Sequence, residues 1–255
     1  MHSVFPFVVS FGVVFSGCFY SPNLQQKSID TGIAATIVNI SFVGMFGRNS
    51  RGSGTMIHSS GIILTNAHII PADYSAYGAE YKCLISVPDP KTGEPVEIYY
   101  GKPIVVKNIS TKYDLAFVQI EGVYYDKDAR INNAVFPKHF VSYDDEVYCR
   151  NNKGVVLGDK ISVFGYPDIG GGKNLIITEG IVSGFNREKG WIFTSAKMSH
   201  GNSGGLAVDG NGCMIGVPAK VNRDDLESMG IVLSSEVVGQ FCAEIFKEIE
   251  AQPKQ

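Results

Sequence analysis

At 255 residues the chain is long enough for one large domain or two lobes sharing a sizeable core. Apolar residues make up 44% and charged residues 18%, which excludes a disordered chain. The formal net charge of −3, with no basic excess and no block of like charge, gives nucleic acid nothing to bind.

The N-terminus carries an uncharged apolar run from Val4 to Phe15, interrupted by Pro6, Ser10 and Gly12. It is too short for a comfortable membrane span and suits the apolar centre of an export signal. The run ends in "FSGC", where small residues precede Cys18, and this resembles a bacterial lipoprotein cleavage site. Residues 1–18 are therefore expected to be a signal or lipoprotein-like segment, with Cys18 as the lipidation candidate. An uncleaved anchor or a hydrophobic strand is the alternative. Residues 19–33 read as a polar tether.

From 34 onward, short runs rich in Val, Ile, Tyr and Phe are bounded by Gly, Pro, Asn or Ser. They fall at 34–44, 52–70, 81–89, 97–110 and 114–122. A more polar stretch over 123–154 follows as a connection. Runs resume at 159–167, 174–187, 191–196, 206–221 and 230–235. "DGNG" at 209–212 predicts a tight hairpin. Only the end reads as helical: Val237, Val238, Phe241, Ile245, Phe246 and Ile249 recur at three- and four-residue steps, with Ser234 or Ser235 as N-cap. The pattern predicts an all-β protein of two six-stranded antiparallel β-barrels, about 34–122 and 155–235, and a C-terminal α-helix. The ordered domain is expected to span 34–250. Apart from Cys18, the cysteines Cys83, Cys149, Cys213 and Cys242 allow two disulfides in three pairings, or buried free thiols. No CxxC pair or histidine spacing predicts a metal, and no cofactor is expected. "GYPDIGGGKNL" at 165–175 lacks the Gly-Lys-Ser/Thr of a phosphate loop and reads as a hairpin loop.

The chemistry centres on "MSHGNSGGLAV", residues 198–208. The stretch is either a flexible turn or a backbone shaped around one reactive hydroxyl. A serine becomes a nucleophile only with a general base in reach, a group to orient that base, and donors for the oxyanion. Gly201, lacking a Cβ, lets the amides of residues 201 and 203 supply such donors. His68, ending the apolar run "ILTNAHII", is the candidate base. Asp114, heading "DLAFVQI", is the candidate orienting carboxylate, because a charge beside a buried run needs a partner. An ordinary core histidine and a strand-capping aspartate are the bland readings of these two.

Taken together, "GSGTMIHSSGIILTNAHII", "YDLAFVQI", "GYP…TEGIVSGFNR" and "TSAKMSHGNSGGLAVDGNGCMIGVPAKV" resemble the chymotrypsin-fold serine proteases. They are most similar to the protease domain of the HtrA family. His, Asp, Ser is the triad order of that fold. The resemblance implies an endopeptidase acting on protein or peptide substrates, with His68 as base, Asp114 as orienter, Ser203 as nucleophile, and an oxyanion hole at Gly201 and Ser203. It implies a cell-envelope or secreted location, a tether through the N-terminus, and a possible homotrimer. HtrA proteins continue into a PDZ domain, and here the protease domain is expected without one. Asn202 stands where zymogen-activated relatives carry an acid, so no activating cleavage is expected. The substrate pocket is expected around Lys197, Met198, Ile215, Gly216 and Val217. In one reading Lys197 attracts acidic side chains; in the other it faces solvent and Met198, Ile215 and Val217 form a small apolar pocket. A catalytically weak binding or chaperone-like module on the same fold is the alternative function.

Overall fold

In the computed structural model of the chain, residues 30–44, 49–107, 113–124, 135–144, 154–224 and 227–250 are described. Cys18, Cys149 and the segments expected to hold the signal and most of the tether lie outside them.

Twelve strands close into two antiparallel barrels. The first has the order β1-β2-β3-β6-β5-β4, formed by β1 (Ile37–Gly44), β2 (Asn49–His58), β3 (Ile62–Thr65), β4 (Tyr81–Pro88), β5 (Pro95–Lys107) and β6 (Leu115–Val123). The second has the order β10-β11-β12-β9-β8-β7, from β7 (Lys160–Gly165), β8 (Ile176–Asn186), β9 (Trp191–Thr194), β10 (Leu206–Val208), β11 (Met214–Asp224) and β12 (Glu227–Ser234). Closure leaves no exposed sheet edge, which is how an antiparallel sheet of this length avoids edge pairing.

Strand alternation sorts the apolar side chains into three cores. Barrel 1 is filled by Ile40, Phe42, Ile63, Ile85, Tyr99 and Val118 among others. Barrel 2 is filled by a smaller set including Ile161, Val163, Val182, Ile192 and Val232. The third core lies where the barrels meet. Phe164, Tyr166, Leu206 and Val208 turn outward from barrel 2 to join Leu64, Leu115 and Phe117 and the helix residues Val237, Val238, Phe241 and Ile245. Residues 30–34 form a helical turn that brings Ile33 into this core.

The helix itself, α2 (Ser235–Glu250), follows the predicted apolar stripe, with Phe241 fully buried against Phe117 at a ring separation of 4.9 Å. Ser234 Oγ accepts from Val237 N at 3.4 Å, capping its first turn. A four-residue helix, α1 (Tyr74–Tyr77), and the helical turn at 30–34 correct the expectation that only the C-terminus is helical. The α1 sequence has no helical period; the Tyr74 ring packed edge-on against Phe42 and the bond from Tyr81 Oη to Asp73 hold its surroundings in place. "DGNG" is the tight turn expected, with Asp209 Oδ1 accepting from Asn211 N and Cys213 N.

The two-disulfide arrangement is not formed. Cys83 is a free thiol facing the interior of barrel 1, where burial pushes it up to about 12, so it is neutral. Cys213 is disulfide-bonded.

Candidate active site

The site is assembled where β2, β3 and β6 of barrel 1 meet the 199–205 turn of barrel 2. His68 lies in the single helical turn Ala67–Ile69 that ends β3, and Asp114 immediately precedes β6. Because β3 and β6 are paired, with Thr65 opposite Ala116, the two residues leave the sheet side by side. His68 Nδ1 stands 2.8 Å from Asp114 Oδ2, and the His68 backbone N–H donates to Asp114 Oδ1 at 3.0 Å. The Asp114 carbonyl accepts from Ala67 N at 3.1 Å and from the fully buried Asn66 side chain at 2.9 Å. Four bonds thus fix Asp114 at φ +46°, a left-handed conformation that Asp adopts more readily than most residues. The carboxylate side chain is 10% exposed and the imidazole 47%, so the acid is enclosed and the base is open to solvent. A carboxylate acceptor at Nδ1 holds the proton there and leaves Nε2 with its lone pair.

The 199–205 turn is held at every carbonyl from 200 to 203. His200 O accepts from Asp168 N at 2.8 Å, and Asn202 O from Gly205 N at 3.1 Å. Gly201 O accepts from Ser53 Oγ at 2.6 Å, and Ser203 O from Ser53 N at 2.8 Å. The amides of Asn202, Gly204 and Gly205 are also used, donating to Ser199 O, Pro218 O and Asn202 O. Between residues 201 and 205, the N–H groups of Gly201 and Ser203 have no acceptor among the described residues. Each points opposite to the anchored carbonyl of its own trans peptide. Two preorganised, unpaired donors flanking a serine are what a developing oxyanion requires.

Two glycines make this geometry possible. Gly201 has φ +97°, and a Cβ there would lie 2.2 Å from Tyr166 O. Gly204 has φ +84°, and a Cβ would lie 2.2 Å from Ser53 O, 2.3 Å from Thr65 Oγ1 and 3.0 Å from Ile69 Cδ1. The turn is thus seated directly on the segment that bears His68. Gly204→Ala is expected to destabilise the fold by roughly 2–5 kcal/mol, from positive-φ strain plus overpacking, measured by chemical denaturation.

Ser203 Oγ donates to Ala219 O at 3.1 Å. It makes no hydrogen bond to His68 among the described residues; the turn that carries it meets the His68 segment at Gly204, where a Cβ would lie 3.0 Å from Ile69 Cδ1. A hydroxyl rotor of this kind re-aims by rotation about χ1.

Of the expected substrate-pocket residues, Met198 packs against the barrel 2 core that holds Ile215, and Val217 lies in the core between the barrels. Lys197 is exposed, and its carbonyl accepts from Thr178 Oγ1 at 2.8 Å. Met198 lies over β12, where a Cβ on Gly230 would meet its sulfur at 2.4 Å. The register of β10 and β11 shifts between Ala207 and Val208, which puts Ile215 into the core of barrel 2 and Val217 beneath the C-terminal helix. Gly216, against Leu233 O, has room for no side chain. The one-residue bulge turns Ile215 and Val217 to opposite sides of the sheet. Asn202, buried, uses Oδ1 to accept from Ser199 N at 3.0 Å and so braces the turn internally.

Sequence reasoning missed Ser53, Asn66, Asp168 and Ala219. Asp168 is drawn to barrel 1 by an ion pair with Arg51, and the same loop is held by Asn39 Nδ2 donating to Gly172 O at 2.6 Å.

Comparison with known proteins bears on the family and the fold. Residues 52–217 match the trypsin-like peptidase domain model. Over 118 residues the chain is 30% identical to a probable periplasmic DegP-like serine endoprotease of Buchnera aphidicola, covering 44% of this chain and 25% of that protein. Over 157 residues it is 29% identical to the Do-like serine protease HtrB of Bacillus subtilis, covering 56% of this chain and 30% of that protein. The matched segment thus spans a third or less of these curated relatives. The fold superposes on a serine endoprotease of Yersinia pestis with TM-score 0.61 at 20% identity, covering 87% of this chain and 66% of the other. An HtrA-type protease solved with a tripeptide gives 0.62 at 19%, covering 86% and 63%. Fold topology and family match coincide over both halves of the site, and the chain belongs to the trypsin-like peptidase domain family.

Proposed function

We propose that the chain is a serine endopeptidase that hydrolyses peptide bonds through Ser203, His68 and Asp114. The observations that support this reading are the bonded Asp114–His68 pair and a serine turn, packed on the His68 segment, with two amides that have no acceptor among the described residues. Asp114 keeps the proton on His68 Nδ1, so Nε2 accepts the proton of Ser203 as Oγ attacks the scissile carbonyl. The oxyanion forms against the N–H groups of Gly201 and Ser203. His68 then protonates the leaving amine, the C–N bond breaks, and water, deprotonated by His68, releases the acyl group from Ser203.

The rival reading, a weakly catalytic binding module, draws on the bond from Ser203 Oγ to Ala219 O, which engages the hydroxyl's one proton. Incubation with unfolded casein separates the two. Cleavage that a serine-directed phosphonate blocks supports the peptidase; intact casein after prolonged incubation supports the binding module.

The new N-termini also read the specificity. Lys197 is exposed, and Met198, five residues before Ser203, offers an apolar side chain over Gly230. Cleavage is expected after small aliphatic residues, at least tenfold over Asp or Glu, and a reversed preference would assign the pocket to Lys197.

Likeness to the periplasmic DegP-like protease extends the proposal to a role in envelope protein quality control, in the periplasm or outside the cell. Lipid anchoring at Cys18 and homotrimer formation belong to the same proposal. The disulfide at Cys213 is the chemical support for an oxidising compartment.

A further inference from the structure

Ser53, on β2 of barrel 1, is 0% exposed and makes four hydrogen bonds, three of them to the polypeptide of barrel 2. Its hydroxyl accepts from Tyr166 N at 2.9 Å and donates to Gly201 O at 2.6 Å. Its N–H donates to Ser203 O at 2.8 Å, and its carbonyl accepts from Thr65 Oγ1 at 2.7 Å. A single residue of one barrel therefore fixes the peptide planes that follow both Gly201 and Ser203. The planes that precede them are fixed within barrel 2, by Asp168 N on His200 O and Gly205 N on Asn202 O.

We propose that Ser53 is a positioning residue for the oxyanion hole: its hydroxyl relays order from the Tyr166 amide of barrel 2 to the Gly201 carbonyl and holds Gly201 in the conformation that leaves its N–H free. The inference rests on the reading of Ser203 as nucleophile. It follows from the hydrogen-bond balance. A hydroxyl has one proton, which goes to Gly201 O, and it accepts the Tyr166 N–H. Take the hydroxyl away and a buried carbonyl and a buried amide lose their partners together. Gly201, with no Cβ, has no steric barrier of its own against flipping its peptide. The sequence signal was "GSG" at 52–54: a small polar residue between two glycines, the first of which lets strand and turn meet. A Cβ at Gly52 would lie 3.0 Å from Ser203 O.

The test follows phosphonylation of the chain by a fluorophosphonate probe. Ser203 Oγ bonds to phosphorus, fluoride leaves with the P–F bond electrons, and His68 takes the hydroxyl proton. The rate separates into a maximal step, kinact, and a binding constant, KI. Ser53→Ala is expected to lower kinact roughly 10- to 100-fold with KI within about twofold, since loss of one such donor outright costs on the order of 10²–10³. Ser53→Cys, of similar size with a weaker donor, is expected to fall between Ala and wild type. Thr36→Val removes another buried hydroxyl, bonded to Ile33 O outside the turn, and is expected to leave kinact within about twofold. Near-ultraviolet circular dichroism establishes that each variant is folded. Unchanged kinact in folded Ser53→Ala and Ser53→Cys, or an equal fall in Thr36→Val, overturns the assignment. A wild-type chain that the probe does not label overturns the nucleophile reading itself, which is a different result.

Discussion

Ser203→Ala is expected to lower casein turnover by about 10⁴-fold or more while leaving the fold unchanged. The substitution deletes only Oγ, whose described bond is to Ala219 O at a partly buried position. One hydrogen bond at such a site is worth about 1 kcal/mol, too little to unfold a domain of this size. The backbone bonds of residue 203, including Ser53 N to Ser203 O, do not depend on the side chain. What is lost is the atom that forms the acyl-enzyme. Triad members act as a unit, so removing the nucleophile removes most of what the triad contributes and leaves the residual rate of binding and oxyanion stabilisation. Turnover within tenfold of wild type would mean that another group does the chemistry.

Asp114→Asn is expected to cost about as much, roughly 10³–10⁴-fold, for a different reason. Asp114 Oδ1 accepts from His68 N, and that bond orients the substituted amide with its oxygen at the same place. The NH₂ group then occupies the Oδ2 position, 2.8 Å from His68 Nδ1. Two donors cannot face each other, so the imidazole moves its proton to Nε2 and can no longer accept from Ser203. The backbone has no reason to move: φ +46° suits Asn as well as Asp, and the carbonyl bonds to Ala67 N and Asn66 Nδ2 remain. A melting temperature within a few degrees of wild type, with activity nearly gone, is the expected pair of results. Activity above a tenth of wild type would place the orienting role elsewhere.

The two barrels were legible in the sequence because strand alternation and glycine-bounded runs are local signals. So were His68 and Asp114, polar residues set at the ends of apolar runs. Their pairing became visible only with β3 beside β6. Ser53 was hidden because its importance is not local: all but one of its bonds reach the other barrel, and a serine in a strand carries no mark of that. That Ile215 and Val217, two residues apart, face opposite sides was not legible, because the register shift beside Val208 breaks the alternation and leaves no local mark. The short helix at Tyr74–Tyr77 was missed because its neighbours Phe42 and Tyr81 are distant or outside any helical period. Asp168 was read as a hairpin residue, which it is. Its amide bond to His200 O depends on a loop path that Arg51 and Asn39 of barrel 1 help to fix.

The central claim is that Ser203 is the reactive nucleophile, activated where it stands beside the Asp114–His68 pair. Peptide mapping by mass spectrometry after fluorophosphonate treatment of the folded chain tests it most directly. The account predicts a single phosphonyl adduct on Ser203, abolished by prior denaturation and slowed at least 10³-fold by Asp114→Asn. A folded chain that carries no adduct, or carries it on another serine with Ser203 unmodified, would contradict it.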